Sequence, residues 1–193
     1  MVGVEVSSVA GLILVTGPSR SGKSRWAEHL AAQHPGPVLY LATGQTPSED
    51  DSWAQRVADH RQRRPEDWQT LEVGAALTEA LAGLNQSMEP VQSRLLLVDA
   101  LGTWLAQHLE DGPEQWQARS AALLDQLARQ KEPVVLVMEE VGWGLVPPTA
   151  IGGLFRDRMG ALQQRLNAIS RESWLVVNGR ALNLHQLGVP VPG

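Results

Sequence analysis

The chain contains no cysteine, which excludes disulfides, zinc–thiolate sites and thiol catalysis. It has no long apolar run. Stretches such as "VVLVM" at 134–138 are far too short to span a bilayer. The N-terminal "MVGVEVSSVAGLILVTG" lacks a basic leading region and runs straight into a glycine-rich loop, so it reads as a strand and not as a signal peptide; a cytoplasmic protein is expected. There is no excess of positive charge: the net charge of −5 argues against nucleic acid as the main partner. Lysine is nearly absent, with 14 arginines against only Lys23 and Lys131. In a chain so biased towards arginine, a lysine kept inside a glycine-rich loop is informative.

What is present is ordinary for a soluble globular protein, 43% hydrophobic and 19% charged over 193 residues. No repeat, low-complexity tract or linker divides it, and one compact domain over 1–193 is expected. Five short apolar runs read as strands: 12–17, 37–44, 95–101, 134–142 and 173–179. Helical patterns lie at 23–33, about 50–64, about 113–130 and about 154–171. Strands alternating with helices predict an α/β fold, a mostly parallel central sheet flanked by helices. Ligands of such sheets bind where the carboxyl ends of the strands converge. The tail "LGVPVPG" is expected to be loosely ordered.

Gly17-Pro18-Ser19-Arg20-Ser21-Gly22-Lys23-Ser24 fits G-x-x-x-x-G-K-[ST], placed directly after an apolar strand and before a helix. The glycines let the backbone wrap so that several N–H groups point at a phosphate, and the helix N-terminus adds its dipole. Lys23 is placed to reach the β- and γ-phosphates, and the Ser24 hydroxyl to ligate Mg²⁺. A magnesium held in this way wants a carboxylate at the end of a neighbouring strand. Asp99, closing "RLLLVD", is the candidate.

The segment "EDDSWAQRVADHRQRRPEDW" at 49–68 is the least typical part of the chain. If helical up to Pro65, it sets Arg56, His60 and Arg64 on one face, with Trp53 and Val57 on an adjoining face. Like charges around a histidine favour the neutral, nucleophilic imidazole, and guanidiniums suit triphosphate oxygens. The local sequence by itself favours a solvated basic helix face with an idle histidine. His29, His34, His108 and His185 have no such setting and read as surface or packing residues.

Several segments, taken together, carry a family resemblance: "LVTGPSRSGKSRWAE" (14–28), "VLYLATG" (38–44), "RVADHRQRRPEDWQTLE" (56–72), "LLLVDALGTWL" (95–105), "EVGWGLVPP" (140–148), "FRDRMGALQQRLNAIS" (155–170) and "WLVVNG" (174–179). In this order, over nearly the whole chain, the sequence resembles the bifunctional adenosylcobinamide kinase / adenosylcobinamide-phosphate guanylyltransferase family. The H-R-x-x-R-P-x-x-W-x-T-x-E run and the E-V-G-x-G-x-V-P stretch followed by F-R-D are its most specific elements.

The resemblance implies a RecA-like P-loop fold and two reactions. A nucleoside triphosphate, ATP or GTP, phosphorylates the aminopropanol hydroxyl of adenosylcobinamide. GTP then guanylylates a histidine with loss of pyrophosphate, and the GMP passes to adenosylcobinamide phosphate. The histidine corresponds to His60. The nucleotide is expected against the loop (Gly17 to Ser24) and near Ala42, Thr43, Gly44, Arg61, Gln62, Arg63, Arg64, Glu72 and Asp99, with Mg²⁺ on Ser24 and Asp99. Family members can assemble as trimers, so a homo-oligomer is expected. The chain departs from the family at Glu139 (often Asn), at Gly102 (usually Thr), at Gln163–Gln164 (Asn-Gln) and at 50–53 (a D-x-E-M-like stretch). The rivals are another P-loop small-molecule kinase, or a non-catalytic nucleotide-binding switch.

Overall fold

The protein is described from a computed structural model that covers residues 11–44, 64–86, 94–144 and 149–191. Strands β1 (Gly11–Gly17), β2 (Val38–Ala42), β3 (Gln69–Glu72), β4 (Leu95–Asp99), β5 (Pro133–Glu139), β6 (Ser170–Val177) and β7 (Arg180–Asn183) form one sheet in the order β3-β2-β4-β5-β1-β6-β7. All neighbouring pairs are parallel except β6 and β7.

The near-continuous apolar runs become strands because both sheet faces are covered. Alternate residues diverge to opposite sides. Leu12, Leu14, Leu39, Leu41, Leu96, Val98, Val134, Leu136 and Met138 pack under α2 (Leu77–Gln86), α3 (Leu101–Ala106), α4 (Pro113–Ala128) and α5 (Ala150–Ile169). Ile13, Val15, Val38, Tyr40, Leu95, Leu97, Val135 and Val137 face α1 (Lys23–Ala32), whose Ala27, Leu30 and Ala31 recur at helical spacing. A fully buried side chain of this size contributes roughly 1.5–3 kcal/mol.

The expected strands are all present, with shifted ends: 95–101 stops at Asp99, 134–142 at Glu139, and 173–179 begins earlier and ends earlier, as Ser170–Val177. Leu101, read as the end of a strand, instead opens α3. Elements outside the sequence-based reading include β3, α2, α3 and β7. The last follows from a two-residue Asn178–Gly179 turn, both residues at positive φ (50° and 70°), the geometry that closes a tight hairpin. A short helix α6 (Leu184–Leu187) follows, and beyond it Val189 and Val191 are exposed. The expected helix at about 50–64 lies outside the described residues up to Arg64.

Register places the site. Gly17 pairs with Glu139, and Ala42 with both Asp99 and Glu72. The carboxyl ends of five parallel strands therefore meet along one edge, carrying the glycine-rich loop and three acids.

Candidate active site

The loop from β1 to α1 has the form of a phosphate cradle. Gly22 sits at the helix N-cap with φ 97°, a conformation that glycine adopts without strain. A Cβ on Gly17 would run into the Val176 carbonyl and the Ser21 hydroxyl. Arg20 also takes positive φ, at 59°. The Ser21 hydroxyl accepts from Lys23 N (3.3 Å), and Trp26 N donates to Gly22 O (2.9 Å), which starts the helix. From the sheet side, Glu140 N donates to Gly17 O (2.9 Å) and ties the loop to β5. Pro18, Ser19 and Arg20 form the outer rim.

Behind the cradle runs a chain of contacts from the loop to the arginine segment. Ser24 Oγ donates to Asp99 Oδ1 (3.4 Å), and Tyr40 Oη donates to Asp99 Oδ2 (2.7 Å). The Arg64 guanidinium lies 3.5 Å over the Tyr40 ring and donates to Thr70 Oγ1 at 3.3 Å. Burial, then the Asp99 carboxylate, hold the Tyr40 phenol far above its ordinary value, so it stays a donor to Asp99. Sequence reasoning missed Tyr40. The signal was there: it is the chain's only tyrosine, set in an apolar strand two residues before that strand's end.

Glu139 supplies a further acid at the edge. Its Oε2 accepts from Gly102 N at 2.8 Å. Burial raises its carboxyl above the usual range; Lys23 opposes this and Asp99 reinforces it. The expected nucleotide neighbours divide into two kinds. Thr43 is fully buried, its hydroxyl shared between Ala100 O and Thr103 Oγ1 (2.6 Å), while Gln107 Nε2 donates to its carbonyl at 3.0 Å. It locks the end of β2 to α3. Ala42 and Gly44 are partly buried, and Glu72 is exposed on the edge strand. His60, Arg61, Gln62 and Arg63, like Trp53, Arg56 and Val57, lie outside the described residues. Of the other histidines, His34 and His108 are buried, the latter against Trp104 at 4.9 Å, and His29 and His185 sit at the surface.

The model of the cobinamide kinase / cobinamide phosphate guanyltransferase family matches residues 13–184. Two relatives named bifunctional adenosylcobalamin biosynthesis protein CobU are each 39% identical. The one from Escherichia coli K12 aligns over 183 residues and the one from Salmonella typhimurium over 182, each pair covering 87% of this chain and 96% of the relative. A Pseudomonas aeruginosa relative, CobP, is 39% identical over 154 residues, 79% of this chain and 85% of its own. The chain belongs to this family. Solved structures agree on the fold alone. A Pyrococcus horikoshii protein superposes with TM-score 0.55 at 8% identity over 91% of this chain and 86% of its own. An ATPase from a bacterial type III secretion system gives 0.53 at 11%, over 94% and 59%. The architecture is that of a P-loop nucleotide-binding α/β protein.

Two of the positions singled out in the sequence are neighbours. Gly102 and Glu139 touch, and a Cβ at 102 would collide with the Glu139 carboxyl. The donors also suit a magnesium ion. Ser24 and Asp99 offer hard oxygens side by side, the kind Mg²⁺ prefers. Among the described residues no group of three or more acids and histidines forms a ready cage, so such an ion would complete its shell with phosphates and water. Nor is any helix among them long and apolar enough to cross a membrane.

Proposed function

We propose that this chain phosphorylates adenosylcobinamide and then transfers GMP from GTP, through His60, to the resulting phosphate. The products are adenosylcobinamide-GDP and pyrophosphate. The observation that carries the reading is the family match over 13–184, which takes in the glycine-rich loop and His60 alike.

In the first reaction the substrate hydroxyl gives its proton to solvent, its oxygen bonds to the γ-phosphorus and the bond to the β,γ-bridging oxygen breaks, leaving a nucleoside diphosphate. The loop's N–H groups and Lys23 hold the phosphates and offset the charge that develops on them. Mg²⁺, held by Ser24 and Asp99, would supply further charge neutralisation. In the second reaction a neutral His60 nitrogen attacks the α-phosphorus of GTP and pyrophosphate leaves. A phosphate oxygen of adenosylcobinamide phosphate then displaces the imidazole. Splitting one transfer into two displacements is the use of a covalent nucleophile.

Tyr40 and Arg64 act as positioning residues, holding Asp99 in place and linking it to the segment that bears His60. The reading extends to a homo-oligomer of the trimeric kind acting in the cytoplasm. The test is product analysis by mass spectrometry. With adenosylcobinamide, Mg²⁺ and ATP, the chain yields adenosylcobinamide phosphate and stops; addition of GTP carries it on to adenosylcobinamide-GDP. No conversion with both nucleotides present would overturn the proposal.

A further inference from the structure

One cavity adjoins the phosphate loop on the side away from Asp99. Its volume is about 340 Å³, within the range of roughly 300–1,000 Å³ that small-molecule sites occupy. Ser21 and Gly22 of the loop form one wall, Arg25 and Trp26 of α1 another, and the β6–β7 hairpin, with Val176, Gly179, Arg180 and Ala181, forms the third side of an open cleft. In the sheet, β4 lies two places from β1 in one direction, while β6 and β7 lie in the other. Ser24 and Asp99 thus mark one flank of the loop, and this cavity marks the opposite flank.

The lining has a definite chemistry. Trp26 is wedged between Trp174 (ring centroids 5.1 Å apart) and His29 (5.2 Å), which fixes its indole as a rigid wall. Arg25 runs alongside the cradle, its guanidinium 3.8 Å from where a Cβ on Gly22 would stand. Arg180 reaches in from the hairpin and is exposed. Neither guanidinium is paired with a carboxylate among the described residues. An aromatic wall flanked by two guanidiniums, beside a phosphate cradle, suits a flat π-system carried on a phosphate chain.

We infer that this cavity takes the ribose and base of the nucleotide that donates its γ-phosphate, whereas the guanylyl donor lays its nucleoside towards the β2–β3 edge. The inference rests on the two-reaction reading above, and it answers how one cradle serves both. Phosphoryl transfer must present the γ-phosphorus to its acceptor; guanylyl transfer must present the α-phosphorus to His60. A single loop that grips the middle of the triphosphate exposes either end if the nucleoside leaves by opposite flanks. For the phosphoryl donor, the β,γ end lies on the flank of Ser24 and Asp99, where a bound Mg²⁺ would offset its charge, and the cavity receives the nucleoside. For the guanylyl donor, Ala42, Gly44, Arg64 and Glu72 line the other flank.

The probes are adenosine 5′-(β,γ-imido)triphosphate and tripolyphosphate, each with Mg²⁺, titrated calorimetrically at physiological ionic strength. Tripolyphosphate carries the phosphate chain without a nucleoside. Arg180→Gln removes an exposed guanidinium, and Ala181→Phe fills the cavity without changing charge; melting curves establish that both variants fold. In Arg180→Gln the imidotriphosphate is expected to bind about tenfold more weakly, the size of one lost charge-assisted contact, and tripolyphosphate less than about twofold more weakly. Ala181→Phe weakens the imidotriphosphate alone. In both variants the initial rate at which α-³²P-GTP labels His60 falls by less than the affinity for the imidotriphosphate, because the guanylyl donor's nucleoside lies on the other flank. Equal weakening of the two probes, no weakening of the nucleotide, or labelling that falls in step would each overturn the inference. Failure of the underlying reading shows itself separately, as absence of label on the wild type or as tripolyphosphate binding that survives Lys23→Ala, and either takes the inference with it.

Discussion

The backbone N–H of Gly102 donates to Glu139 Oε2 at 2.8 Å, and that same oxygen lies where any side chain at position 102 would begin. The two positions form one unit, joining the start of α3 to the end of β5 directly behind the phosphate loop. Gly102→Thr on its own drives the carboxyl out of its place and costs about 1–3 kcal/mol, the usual range for overpacking a closed site. Glu139→Asn on its own opens space and loses the hydrogen bond. The double variant Gly102→Thr/Glu139→Asn is expected to be more stable than the two single effects added together. Chemical denaturation of all four proteins measures this coupling.

The ionisation of Glu139 has a sign that can be checked. In the unfolded chain a glutamate carboxyl titrates at about 4.3; burial in the native protein raises it. As pH climbs through the interval between these values, the unfolded chain gives up its proton first and the native protein retains its own. Stability from this group is therefore undiminished below the unfolded value and falls as pH rises towards the folded one. Glu139→Gln removes the effect. The melting temperature of the variant relative to wild type, without nucleotide, should be higher at pH 8 than at pH 4; a pH-independent difference would contradict it.

Tyr40→Phe removes the donor on Asp99 Oδ2 and leaves the ring beneath Arg64. A loss of about 1 kcal/mol in stability is expected, the scale of one net hydrogen bond. With that donor gone, Asp99 is also less firmly held beside Ser24. The concentration of Mg²⁺ that half-saturates turnover should rise, while the maximal rate at saturating Mg²⁺ changes less. A variant indistinguishable from wild type in both respects would remove Tyr40 from its positioning role.

Much of this site was legible because its chemistry is local. The loop declares itself in eight consecutive residues, and Asp99 at the end of an unbroken apolar run. The sheet's core strands were legible for a related reason: both faces are buried, so hydrophobicity is continuous along them. What escaped is set by long-range packing. β3 is an edge strand exposed along its whole length, and a single leucine, Leu71, among its four residues carries little hydrophobic signal. The short α3 follows β4 with a single residue between them, so its first leucine looks like more strand. The hairpin to β7 did leave a local mark, the Asn178–Gly179 pair, that the strand pattern of "SWLVVNG" obscured. The contact of Gly102 with Glu139 spans 37 positions, and neither residue alone hints at the other.

Lys23→Ala addresses the cradle itself. Both reactions are proposed to use the same phosphate loop, so the variant should bind triphosphate at least about tenfold more weakly, the scale of one or more lost charge-assisted contacts. Adenosylcobinamide phosphorylation and GMP transfer should fail together. Guanylyl transfer at the wild-type rate would show that the two reactions use separate nucleotide sites.

In the proposed second reaction a histidine carries GMP. Incubation with α-³²P-GTP and Mg²⁺ in the absence of corrinoid, followed by denaturing electrophoresis, tests it most directly. A covalent label that is labile to acid and stable to alkali, absent from His60→Ala and discharged by adenosylcobinamide phosphate, is the predicted result. A wild-type protein that acquires no label, or a His60→Ala variant that still does, would contradict the account.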